Sequence, residues 1–157
     1  MGATHPEHAQ NMRIGVDIGG TFTDFVLFDE HSEEITTFKL LSTPDNPAHA
    51  VLEGLARVAA REGDAAEAIG HYEAALRHAP DTARMRVAVG MLLSDMREHG
   101  RAVEHLRQAT ELDAENAATW SAYAQALWRV EWYPQAATAY QRAITLDPSD
   151  AWSLVGL

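Results

Sequence analysis

The sequence contains no cysteine, which removes disulfides, thiolate nucleophiles and Cys-based zinc sites from consideration. Basic residues are scarce: 12 Lys and Arg stand against 23 Asp and Glu, for a net charge of −11. So acidic a chain lacks the clustered cations that phosphate-backbone binding needs, and nucleic acid is not an expected partner. Long apolar runs are missing as well. No stretch approaches a bilayer span, and residues 1–11 carry neither a basic segment nor an apolar one. Pro6 stands where a myristoylation signal opening on Gly2 would need Ser or Thr. The expectation is a soluble, cytoplasmic chain that does not engage a membrane, with residues 1–11 a disordered extension. Compact sets of His, Asp and Glu are also lacking. His71 and His78, like His99 and His105, lie too far apart on predicted helices for a metal site, and none is expected. At 157 residues there is room for one modest core, or for a repeat array with a small appendage.

What is present is a period. Ala68, Ala102 and Ala136 recur every 34 residues, as do Tyr72, Leu106 and Tyr140, and Ala75, Ala109 and Ala143. Leu52, Arg86 and Trp120 follow the same interval, with Leu55, Val89 and Tyr123 beside them. Small side chains in register let paired helices approach closely, and each hairpin must then bury its remaining apolar face on a neighbour. Pro80 and Pro148 stop the second helix of their hairpins, because proline cannot continue a helix. Ala114 takes that place in the middle repeat, and Arg86 occupies a position given to a large apolar residue in the others.

The stretches AEAIGHYEAALRHAP, GRAVEHLRQATELDA and PQAATAYQRAITLDP resemble the second helix of tetratricopeptide repeats. The resemblance implies a mainly α fold: three helical hairpins, over 49–82, 83–116 and 117–150, in a right-handed superhelix. Residues 151–157, AWSLVGL, resemble the start of a truncated fourth repeat. It also implies a concave groove, lined by the first helices, that takes a protein or peptide ligand. By register, the groove positions include Glu53, Arg57, Met91, Gln125, Trp128 and Arg129, with no dominant sign of charge. Family members that clamp the carboxylates of chaperone tails present Lys, Asn and Arg where this chain has Glu53, Ala118, Ser121 and Ala122, so that clamp is not expected. Trp120 falls in the core register. Trp128, eight residues on, is the aromatic residue expected to anchor a partner. The cut-off fourth repeat would leave Trp152, Leu154 and Leu157 uncovered, which predicts self-association through that end.

The N-terminal part differs. RIGVDIGGTFTDFVLFDE, HSEE and ITTFKLL give two β-type runs around a Gly-Gly turn and a third after a polar turn, a three-stranded meander over 12–48. Asn46 before Pro47 then opens a helix through Arg61. DIGGTFTD resembles the first phosphate loop of the actin, hexokinase and sugar kinase superfamily. With TFKLLSTPDNPAHAVLEGLARV it resembles the start of the hydantoinase A and 5-oxoprolinase family, over about Arg13 to Val58. Glycines at 19 and 20 would let backbone amides approach a phosphate, and the hydroxyls of Thr21 and Thr23 could donate to it. The resemblance gives Asp17 a role in holding hydrated Mg²⁺. Asp17, Gly19, Gly20, Thr21 and Thr23 are thus the candidate cofactor residues. The remainder of such a catalytic domain does not follow, and no catalytic residue is assigned.

Two functions are weighed on this basis. The first is a protein-interaction scaffold bearing a remnant phosphate loop, with no cofactor. The alternative is an ATP-dependent hydrolase of the hydantoinase/5-oxoprolinase type, or a nucleotide-binding fragment of one, with Mg-ATP as cofactor. The helix from Pro47 belongs to both resemblances. Leu52, Leu55, Ala56 and Ala59 would face the repeat core, and Val51, Leu55 and Val58 would cover the meander.

Overall fold

The computed structural model describes residues 12–42, 46–78 and 82–149. The extension at 1–11, residues 43–45 of the STPDNP turn, Pro80 and the start of a fourth repeat lie outside the described residues. Three strands come first: β1 (Met12–Ile18), β2 (Phe22–Asp29) and β3 (Ile35–Leu41), an antiparallel sheet in the order β1-β2-β3. In β2, Thr23, Phe25 and Leu27 are buried while the residues between them are not, the period of two set by a strand with one face against a core. Phe25 pairs with Val16 on one side and Phe38 on the other, and the two Phe rings stack with centroids 4.7 Å apart. The β2–β3 turn is held by Asp29, whose carboxylate accepts from the backbone N–H of His31 and Ser32. These bonds, His31's first, keep its pKa below the ordinary carboxylate value.

Six helices follow: α1 (Pro47–Arg61), α2 (Ala65–His78), α3 (Ala83–Asp95), α4 (His99–Leu112), α5 (Ala117–Arg129) and α6 (Tyr133–Leu146). Short turns join them as three hairpins. Helix starts are capped where the sequence supplies an acceptor. Asn116 accepts from the Thr119 N–H at 3.3 Å, and Asp64 from the Glu67 N–H at 2.9 Å. The first helix of each hairpin ends in the same way. Gly63, Arg97 and Glu131 have φ of 82°, 62° and 62°, and they lie 34 residues apart. The following residue reaches back to a carbonyl inside the helix each time: Asp64 to Ala59 (2.9 Å), Glu98 to Leu93 (2.8 Å) and Trp132 to Leu127 (3.0 Å). This left-handed stop satisfies carbonyls that the helix end would otherwise orphan.

The alanine series sits where the period places it. Ala68, Ala75, Ala102, Ala109, Ala136 and Ala143 are fully buried, and Tyr72, Leu106 and Tyr140 nearly so. Around them Met85, Val89, Leu93, Ala124 and Leu127 make one core running through all three hairpins. Trp120 packs on that core half-buried, and its indole N–H donates to the Ala114 carbonyl at 2.8 Å. Arg86, in the place of an apolar residue, is half-buried and donates to the Gln108 side chain.

A smaller core of Phe25, Leu40 and Ala50, with Phe38 against it, lies between sheet and α1. The side chain expected to cover the sheet is only partly the right one. Val58 is buried and lies with Leu27 and Phe38 around a small cleft. Val51 and Leu55 remain half-buried, and the contact runs instead through Ala50 and Gly54. Phe25 occupies the space in front of Gly54 so completely that a Cβ there would lie 1.9 Å from the ring's Cζ. Helix α1 thus carries the sheet on one face and the repeat core, through Leu52 and Ala56, on another.

Candidate functional site

An open groove of about 900 Å³ lies between α3 and α5, within the size range of ligand sites. Each hairpin runs antiparallel, so the first helices α3 and α5 lie parallel. Arg84, Val87, Met91 and Ser94 line the groove from α3, at spacings of three and four that put them on one helix face. Ala118, Ser121, Ala122, Gln125 and Arg129 line it from α5 at the same spacings. The small side chains at 118, 121 and 122 keep the floor open. The wall carries Arg84, Arg97 and Arg129 against Asp95, Asp113 and Asp147, so no sign prevails. His99 is also on the wall, and its Nδ1 is buried without a hydrogen-bond partner among the described residues. Two bonds from Ser149, the side-chain one first, hold the Asp147 carboxyl below its ordinary pKa and so keep it charged.

Of the six groove positions read from the sequence, Met91, Gln125 and Arg129 line this groove. Glu53 does not. It is 4 % exposed, and its Oε1 accepts from Arg57 Nη2 at 2.7 Å and from Arg84. A carboxylate engaged by two guanidiniums ties α1 to α3 and is not presented to a ligand. Arg57 is turned to that bond and to the cleft against the sheet. Trp128 is half-exposed but lies outside the groove lining, its ring edge-on to Tyr133 at 4.8 Å. The lining residues that the reading overlooked include Val87, Ser94 and Asp95, which were within reach of the helical spacing counted from Met91, and Arg97, which stands in the left-handed turn beyond α3. Asp113 and Asp147 end second helices, and only the packing brings them to the rim.

The candidate phosphate loop is the β1–β2 turn. It is closed by the Gly19 N–H donating to the Phe22 carbonyl at 2.9 Å, and a Cβ on Gly19 would lie 2.9 Å from the same oxygen. Gly19, Gly20 and Thr21 are exposed, as is Asp17. Thr23 is turned the other way: fully buried, its Oγ1 is 2.8 Å from the Ser42 hydroxyl. Four of the five candidate residues therefore face solvent at one end of the sheet, and the fifth hydroxyl is committed to the interior. Asp17 lies opposite Asp24, whose carboxylate is bound by Lys39 at 2.8 Å. Among the described residues no group of three or more His, Cys, Asp or Glu could hold a metal ion, and no helix is long and apolar enough to cross a membrane.

Comparison with known proteins divides the chain in the same way. The profile of the hydantoinase/oxoprolinase N-terminal region matches residues 13–79, past the Val58 at which the sequence likeness was expected to end. Two tetratricopeptide repeat profiles match residues 48–115 and 87–151, so α1 and α2 fall under both descriptions. An uncharacterized protein of Methanocaldococcus jannaschii is 57% identical over 35 residues, 22% of this chain and 5% of its own length. The caprolactamase subunit alpha of Pseudomonas jessenii is 48% identical over 50 residues, 32% of this chain and 7% of its own. The chain thus spans under a tenth of these curated relatives. Solved structures resemble the helical part. The Arabidopsis OM64 TPR domain has a TM-score of 0.65 at 17% identity over 69% of this chain and 90% of that one. The first TPR of Spaghetti (RPAP3), bound to the HSP90 peptide SRMEEVD, has 0.67 at 17% over 71% and 88%. The Sgt2 TPR domain from Aspergillus fumigatus has 0.65 at 24% over 74% and 76%. Residues 48–151 are therefore a tetratricopeptide repeat array of three hairpins in a right-handed superhelix, joined to a stretch of the hydantoinase/oxoprolinase N-terminal type.

Proposed function

We propose that the chain is a protein-interaction scaffold, and that the groove between α3 and α5 takes an extended peptide or a helix of a partner protein. The observation that carries this reading is the groove itself, with its open floor at Ala118, Ser121 and Ala122 and its rim of both charges. A solved structure of similar fold is bound to a peptide, SRMEEVD. An all-acidic tail suits this chain poorly. Glu53, Ala118 and Ala122 supply no cations where a carboxylate clamp needs them, and Asp95, Asp113 and Asp147 oppose the arginines. The ligand chemistry that fits is a peptide carrying both signs around a small apolar residue facing Met91 and Val87.

The test is to select peptides on the wild-type chain from a displayed library and to titrate the best of them against Ala122→Trp, which fills the groove, and Met91→Ala. Affinity should fall at least about tenfold with Ala122→Trp while the helical circular dichroism is kept, since a blocked cavity forfeits the central contacts. Unchanged affinity in a folded Ala122→Trp variant would place the binding elsewhere.

The exposed Gly19–Thr21 turn favours a second reading, a nucleotide-binding fragment of an ATP-dependent hydrolase. The inward Thr23 hydroxyl and the unneutralised Asp17 beside Asp24 both weaken it. Calorimetric titration with Mg-ATP separates the two: no saturable heat is expected, and saturable heat lost in Asp17→Ala would restore the hydrolase reading.

A further inference from the structure

Among the described residues the sheet has an open edge: β1 pairs with β2 alone, and Ile14, Val16 and Ile18 stay 41 %, 38 % and 53 % exposed although they share the face on which Phe25 and Leu27 are buried. Helix α1 covers the other two strands and leaves this one bare. Edge strands are commonly protected by Pro, Lys or a bulge, and β1 has none of these.

The geometry points to a second copy of this chain as the occupant, its β1 laid antiparallel on ours so that two three-stranded sheets become one. The backbone parity comes first. The Gly19 N–H donates to the Phe22 carbonyl, and Gly19 continues the register that pairs Asp17 with Asp24 and Arg13 with Phe28. In an antiparallel ladder both polar groups of such a residue point at the partner strand and those of its neighbours point away. The odd-numbered residues of β1 therefore bond β2, and Met12, Ile14, Val16 and Ile18 direct their N–H and C=O outward. A two-fold axis at Gly15 pairs Ile14 with Val16 of the second copy and Met12 with its Ile18. All of these are outward-directed residues, so the register that satisfies the free backbone groups needs no bulge.

The side chains then agree with the backbone. In MRIGVDI the same axis sets Arg13 opposite the second copy's Asp17, twice by symmetry, on the sheet face away from α1. These are non-hydrogen-bonded pairs, in which side chains lie closest. Gly15 at the axis leaves that face unobstructed. Within one copy Asp17 has the like charge of Asp24 directly across and no ion pair of its own among the described residues, while Lys39 serves Asp24. Arg13 is 79 % exposed and, among the described residues, bridges to Glu30 alone at the surface. The second copy's Arg13 supplies the cation that Asp17 lacks. On the other face the exposed Ile14, Val16 and Ile18 gain apolar cross-strand neighbours in place of water.

The experiment is sedimentation velocity of the full chain across the micromolar range, with Arg13→Asp, Asp17→Arg, the double exchange R13D/D17R and Val16→Pro. The wild type should dimerise reversibly. Each single reversal turns two attractive pairs into repulsive ones and should weaken the dimer roughly tenfold. The double exchange restores opposite charges and should recover it. Val16→Pro removes an N–H directed away from β2 and should abolish the dimer; thermal melts identify any variant that has lost its fold. A wild-type chain that stays monomeric overturns the proposal. So does a dimer indifferent to all four variants, which would place association elsewhere, such as the far end of the repeats.

Discussion

Glu53 and Thr23 show how little a residue's type says about its exposure. Both were candidates for a ligand, and both turn inward because a partner is waiting there: two arginines for the carboxylate and the Ser42 hydroxyl for the threonine. A buried polar group without such partners would cost about 1–3 kcal/mol. His105 on α4 is a titratable example. Burial lowers its pKa below the ordinary value of 6.5, and Arg86 of α3 and Arg101 act in the same direction, against Glu73 of α2 and Glu104. An imidazole that binds its proton less well when folded contributes stability that is present above pH 6.5 and lost as the pH falls through that value toward its depressed one. Urea midpoints should therefore drop on acidification across this window, and His105→Gln should flatten that part of the profile. An identical slope in the variant would assign the effect to another group.

At the scale of elements, the turn between the two helices of each hairpin is the most repetitive feature after the alanines. Gly63 occupies the left-handed stop at no steric cost, whereas Arg97 and Glu131 hold the same φ with a Cβ that the conformation disfavours by about 1–2 kcal/mol. Glu131 is exposed and lies outside the groove lining. Glu131→Gly should raise stability by about 0.5–1 kcal/mol, the relief of strain less the entropy a glycine adds to the unfolded chain. Gly63→Ala should lower it by a similar amount. Chemical denaturation measures both, and a destabilised Glu131→Gly would mean that its side chain makes a contact worth more than the strain.

The whole molecule depends on α1, which faces the sheet through Ala50, Gly54 and Val58 and the repeats through Leu52 and Ala56. Sheet and array should therefore unfold together. Gly54→Ala tests this: its methyl meets the Phe25 ring, and overpacking of that kind costs about 1–3 kcal/mol. The melting of the helical signal should shift downward as one transition. If only a minor β signal moves while the helices melt as before, sheet and array are separate units. The same coupling bears on the groove, because Arg84 on its rim is bound to Glu53 of α1.

A 34-residue interval was enough to place three helical hairpins and the buried alanines, since those follow from local periodicity. Three β-type runs, divided by a Gly-Gly turn and a polar turn, did the same for the strands. The left-handed turns at Arg97 and Glu131 escaped notice because neither residue favours that φ; only their spacing from Gly63 gave a signal. Three of the six groove positions read by register, Met91, Gln125 and Arg129, line the groove. Tertiary structure alone decided the rest. It buried Glu53 between two arginines, set Trp128 on Tyr133, brought Asp113 and Asp147 to the rim, and chose Gly54 over Leu55 to meet the sheet. Which face of an amphipathic helix meets which neighbour depends on shapes from distant parts of the chain, and a periodic pattern carries no record of them.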